Sequence, residues 1–186
     1  MTPKQKIKVS KFIALVLRHK PEEIDIKLDD HGWVSTNDLL AGLKQRFADM
    51  SLSVLKEIVA EDTKGRYSFN QTGHKIRANQ GHSLEIDLGL APVDPPEFLY
   101  HGTAKKTEWL IRRDGILPMS RQYVHLSNDR ETAVTVGKRH GEPVVIVVQS
   151  GKMAENGVPF FRSDNGVWLT ERVSVDYLAF EDSGYD

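Results

Sequence analysis

Val9, Phe12, Ile13, Val16 and Leu17 recur at the i, i+3, i+4, i+7, i+8 spacing of one helix face. Pro21 stops that pattern, which puts Arg18 and His19 in the helix's last turn. The stretch EIDIKLD then alternates apolar and polar positions at Ile24, Ile26 and Leu28, which predicts a short strand before the DDHGW turn. Two more helices follow. Ser35 with Asp38 has the spacing of a capping box opening STNDLLAGLKQRF, and Ser51 opens SLSVLKEIVAED, where Leu52, Leu55, Ile58 and Val59 share a face and Gly65 closes the helix. RYSFN and HKIRAN are short β-like runs around QTG, a hairpin signal. Three helices and a two-stranded flap predict a winged-helix-like lobe over residues 1–90.

GLAPVDPPEF holds three of the eight prolines and reads as an extended connector, so the boundary falls near residues 90–96. Beyond it, EFLYHG, YVHLS, PVVIVVQ, GVWLT and VDYLAF are strand candidates, with helices at about 104–112 and 129–138 between them. The order lacks a regular βα repeat, and VGKRHGEP is not a dinucleotide glycine fingerprint. The expected class is α+β, the second lobe (97–186) being built on a split, mostly antiparallel sheet.

Composition narrows the chemistry. With 39% apolar and 27% charged residues the 186-residue chain is expected to bury a core. The absence of cysteine excludes disulfides, thiolate metal sites and cysteine nucleophiles. The basic N-terminus carries a continuous apolar run only from Phe12 to Leu17, unlike a signal peptide, and no run approaches the ~20 residues that span a bilayer, so a cytoplasmic protein is expected. A net charge of −1 argues against a broad polyanion-binding surface; nucleic-acid contact would be local, and the slightly basic first half suits it better.

Four short stretches could carry a site: LRH (Arg18, His19), GRY (Arg66), YHGT (His101, Gly102, Thr103) and SRQYVHLSN (Arg121, His125, Ser127). Each has a plain alternative. Arg18 and His19 suit the negative end of a helix, Arg66 suits an exposed strand start, Gly102 a turn, His101 and His125 a hydrogen-bonded core, and Ser127 a helix cap. The seven histidines form no helical metal-ligand pair, so no metal is expected.

Together, SKFIALVLRHKPEEIDIKLDDHGWV, GRYSF, KIRANQGHS, LYHGT, MSRQYVHLS, VGKRHG and NGVWLT, in this order, resemble the RNA 2′-phosphotransferase family from about residue 7 to 180. The resemblance implies an N-terminal winged-helix-like RNA lobe and a C-terminal lobe of ADP-ribosyltransferase type that takes NAD⁺ as co-substrate. It implies that Arg18, His19, Arg66 and Arg121 are catalytic and that His101, Gly102, Thr103, His125, Ser127 and Arg139 bind NAD⁺. The implied reaction has an internal RNA 2′-phosphate displace nicotinamide. The 2″-hydroxyl then attacks the resulting ADP-ribosylated phosphate, giving 2′-hydroxyl RNA and ADP-ribose 1″,2″-cyclic phosphate.

The residue types suit that chemistry. A phosphate monoester with a second pKa near ~6 is already an anion at neutral pH and needs positioning more than a general base. Arginine forks supply positioning and charge stabilisation, and a histidine could move a proton. In NGVWLT the position that carries a catalytic glutamate in many protein-modifying ADP-ribosyltransferases is matched to Val167, which spares an incoming phosphate the repulsion of a carboxylate. Two other functions stay open: transfer of ADP-ribose to terminal nucleic-acid phosphates, and a non-catalytic winged-helix binder with an ADP-ribose-sensing lobe. Nothing in the chain demands more than a monomer.

Overall fold

The structure is a computed structural model and describes residues 1–180, so the last positions of the expected 97–186 lobe lie outside the described residues. The chain divides into two compact units, Met1–Gly89 and Leu90–Asp186.

In the first unit, α1 (Pro3–Arg18) starts at a capping box in which Thr2 and Gln5 exchange side chain-to-backbone bonds. Its predicted stripe is the buried one: Val9, Ile13, Val16 and Leu17 are each at most 1% exposed. The helix ends at Arg18, and His19 is its C-cap, its N–H donating to the Leu15 carbonyl at 2.9 Å. Pro21 then opens a 3₁₀ turn, Pro21–Ile24.

The strand expected at Ile24–Leu28 does not form. Ile24 and Ile26 do point inward, but Asp25 adopts a left-handed φ of 55° between them, and the stretch joins no ladder. Alternating burial here reflects core contact without strand pairing. Helix α2 (Thr36–Arg46) is capped by the Ser35 hydroxyl, which accepts from Asp38 N–H at 3.4 Å. Helix α3 (Leu52–Ala60) is capped by Ser51, accepting from Val54 N–H at 3.2 Å. Gly65 does not end α3. The helix stops at Ala60, and Gly65 closes the next turn, because the Asp62 carboxylate gathers the N–H groups of Lys64 and Arg66 and diverts the backbone.

The hairpin of β2 (Tyr67–Phe69) and β3 (Lys75–Ala78) gains a third strand, β1 (Val34–Ser35), in the antiparallel order β1-β3-β2. Two residues are too few to show a period, so β1 left no trace in the sequence pattern.

The second unit runs β4 (Leu99–Ala104), α4 (Lys105–Asp114), β5 (Val124–Leu126), α5 (Arg130–Gly137), β6 (Pro143–Val148), α6 (Ser150–Glu155), β7 (Phe161–Arg162), β8 (Trp168–Thr170) and β9 (Leu178–Phe180). Its strands form two antiparallel sheets, β4-β6-β9 and β5-β8-β7, joined by a bridge between Tyr100 and Ser127. Leu99, Val124, Leu126, Val148, Phe160 and Trp168 share one core. The α+β class is therefore as expected. Helix α5 begins at Asp129, which accepts from Thr132 N–H at 2.7 Å, so Ser127 is not its cap. Among the described residues no helix is long and apolar enough to cross a membrane.

Candidate active site

The first unit assembles its candidates around the end of α1. Ser83 N–H donates to the Arg18 carbonyl at 3.0 Å, and His19 Nδ1 lies 2.9 Å from Ser83 Oγ. The Arg18 guanidinium rests on Gly81: a Cβ at that position would stand 3.5 Å from Arg18 Cζ. Next along the chain, His82 is 2% exposed, and neither ring nitrogen has a hydrogen-bond partner among the described residues. Burial, then the charges of Arg18, His19 and Arg77, push its pKa down to about 4, so it stays neutral.

Arg66 is held by three hydrogen bonds to two partners. Its Nε and Nη2 donate to Asp62 Oδ1 at 3.0 and 2.9 Å, and Nη2 also donates to Ser10 Oγ of α1 at 3.1 Å. Burial works against the Asp62 carboxylate, but the Arg66 bonds and charge overcome it and hold its pKa below the usual range. Asn79 fixes the backbone, its N–H donating to the Arg66 carbonyl at 2.9 Å and its Nδ2 to the Gly65 carbonyl at 2.7 Å. Tyr67 feels the positive charge of both Arg66 and Arg18. Arg18 and His19, at the end of α1, and Arg66 are each contacted by the segment Asn79–Ser83 of the same unit.

In the second unit, His101 and Thr103 lie on one face of β4, and Gly102 on the other. A Cβ at Gly102 would fall 1.8 Å from the Ala133 carbonyl oxygen, so the glycine exists to let α5 pack on β4 and offers a ligand backbone only. His101 Nδ1 lies 3.2 Å from the His125 carbonyl, which can only accept, so the proton sits on Nδ1. Burial, and Arg121 to a smaller extent, lower the His101 pKa, which leaves Nε2 as an unprotonated acceptor.

Arg121 Nη1 donates to His125 Nδ1 at 3.1 Å, and since a guanidinium has no acceptor, that imidazole carries its proton on Nε2. Partial withdrawal from water and the nearby charge of Arg139 lower the Arg121 pKa. Thr103 faces Thr107: the Thr107 hydroxyl donates to the Ala104 carbonyl at 2.8 Å, so the 2.7 Å contact between the two hydroxyls must be donated by Thr103. Ser127, just past β5, exchanges both backbone bonds with Tyr100. Val167 N–H is held by Ser163 Oγ at 3.1 Å.

Sequence reasoning missed Ser10, Asp62, Gly81, His82 and Ser83. Asp62 and Arg66 had a readable i, i+4 spacing, and the NQGHS run was visible without a role. Ser10 carried no signal, since only packing brings α1 to Arg66.

Arg18 and Arg66 of the first unit are half-buried, whereas Arg121 and Arg139 of the second are exposed. A family model described as "RNA 2′-phosphotransferase, Tpt1/KptA family" matches residues 4–172. A protein of Herpetosiphon aurantiacus named "Probable RNA 2′-phosphotransferase" is 48% identical over 97% of this chain and 100% of its own length. Similarly named proteins of Agrobacterium fabrum and Flavobacterium johnsoniae are 48% and 44% identical, covering 91% and 93% of this chain and 91% and 95% of their own lengths. The chain belongs to the RNA 2′-phosphotransferase family, which makes it a transferase enzyme.

Proposed function

We propose that this protein is an NAD-dependent RNA 2′-phosphotransferase, cytoplasmic and active as a monomer. Its first unit acts as a winged-helix-like RNA lobe and its second as an NAD⁺-holding lobe of ADP-ribosyltransferase type. The observation that carries the reading is the contact of Arg121 with His125 beside His101 in the second unit. Arg121 Nη1 donates to His125 Nδ1 at 3.1 Å, His101 Nδ1 donates to the His125 carbonyl at 3.2 Å, and burial followed by the nearby charge of Arg139 lowers the Arg121 pKa. Such a group of cationic and hydrogen-bonding side chains suits a diphosphate or phosphoryl group.

NAD⁺, the co-substrate, supplies a ribose carbon whose nicotinamide can leave. His101 presents Nε2 as an acceptor suited to a ribose hydroxyl, and Arg139 and Ser127 suit the remaining polar groups of a dinucleotide. Arg18, His19 and Arg66 grip the RNA 2′-phosphate, which as an anion needs orientation more than deprotonation. Arg66 is already oriented by Asp62 and Ser10, so little freedom remains to be lost on binding. His19 serves the proton of the sugar hydroxyl in the second step, and Arg121 stabilises charge on the phosphoryl oxygens.

The test is a short RNA bearing one internal 2′-phosphate, incubated with NAD⁺. Release of nicotinamide together with loss of the 2′-phosphate supports the reading. A stable ADP-ribosylated RNA end, or no turnover, rejects it. Arg121→Ala is expected to slow the second step more than the first, so that mass spectrometry detects ADP-ribosylated RNA. Equal loss of both steps contradicts the role given to Arg121.

A further inference from the structure

The segment Asn79–Ser83 follows β3 without belonging to any helix or strand, yet it touches every candidate group of the first unit. Asn79 ties down the Gly65–Arg66 backbone with two hydrogen bonds. Gly81 lies under the Arg18 guanidinium with φ at +89°, a conformation that L side chains rarely adopt. His82 buries its imidazole beside Gly32, where it anchors the segment. Ser83 closes it, its N–H on the Arg18 carbonyl and its hydroxyl 2.9 Å from His19 Nδ1.

From this geometry we infer that residues 79–83 are the template on which Arg18, His19 and Arg66 are set in register, and that Ser83 is the positioning residue for His19. Ser83 is itself exposed, so packing does not explain a hydroxyl at that place. Its oxygen occupies Nδ1 of the imidazole and thereby assigns Nε2 to the substrate. A hydrogen bond at one ring nitrogen favours one orientation of the imidazole over its flip. The inference rests on the functional reading above for what His19 does, but not for how the ring is held.

The test combines kinetics with NMR of the histidine ring nitrogens. Ser83→Ala is expected to lower kcat about tenfold, the worth of one well-made hydrogen bond, with KM for the RNA within about twofold and the thermal midpoint unchanged. The ring nitrogen shifts of His19 should change from those of the wild type, Nδ1 most. Ser83→Thr, which keeps the hydroxyl, should restore both. In a His19→Asn background Ser83→Ala should cost nothing further; an equal loss in both backgrounds means that Ser83 does not act through His19 and overturns the inference. Unchanged kcat and ring shifts in Ser83→Ala overturn it as well. Wild-type protein without turnover on 2′-phosphorylated RNA would instead sink the functional reading, while the ring shifts would still report whether Ser83 holds His19.

Discussion

His82 shows what a single buried side chain does to the pH response. Its folded pKa of about 4 lies below the ordinary histidine value near 6.5. The folded state therefore refuses a proton that the unfolded chain accepts. Its contribution is complete above pH ~6.5 and is lost as pH falls toward about 4, over which stability drops by about 3 kcal/mol. His82→Gln should flatten that part of the acid unfolding profile, measured by urea denaturation at stepped pH; an unchanged slope would mean that His82 is not the group responsible. Asp62 behaves in the same sense at lower pH, since its depressed pKa adds stability that acid removes as the carboxylate is protonated. Both groups support the arginines of the first unit, whose positions the sequence displayed. Their supporting partners were hidden, because a partner is a matter of distance and not of residue type.

At the scale of elements, the tightest constraint is the packing of α5 on β4. The Gly102 Cα faces the Ala133 carbonyl so closely that no side chain fits. Gly102→Ala must push α5 away from the strand that carries His101 and Thr103. It is expected to lose about 3 kcal/mol or more, read as a lowered thermal midpoint. An alanine variant as stable as the wild type would mean that the helix can shift at no cost. This glycine was picked out from sequence as part of a nucleotide site, and the structure adds a packing reason for it. The helices α1, α2 and α3 were legible because their apolar faces, and the Ser35 and Ser51 caps of α2 and α3, are local patterns. The false strand at Ile24–Leu28 shows the limit of such patterns, since inward alternation needs a partner strand before it becomes a sheet.

For the molecule as a whole, the net charge of −1 separates local from diffuse recognition of RNA. If a few arginines make the phosphate contacts, the affinity for 2′-phosphorylated RNA should fall with salt at a slope between about −2 and −4 in log K against log concentration. A slope near −6 or steeper, measured by titration across the same salt series, would require more phosphate contacts than the candidate arginines supply. The division after Gly89 follows composition, with the proline-rich stretch lying just beyond it. Residues beyond the division dock onto the second unit, where Val93 N–H donates to Phe160 at 2.8 Å and Ser150 Oγ to Pro96 at 2.7 Å.

The sequence by itself determined the α+β class, helices α1 to α5, the Ser35 and Ser51 caps, the family, and which arginines and histidines to watch. These follow from short-range periodicity and from residue types that keep their chemistry in any fold. Tertiary structure alone decided which of them are held, by what, and in which tautomer. Ser83 against His19, Asp62 and Ser10 against Arg66, and Arg121 against His125 are contacts set by how each unit packs. No local pattern of apolar and polar positions encodes the distances on which those hydrogen bonds depend.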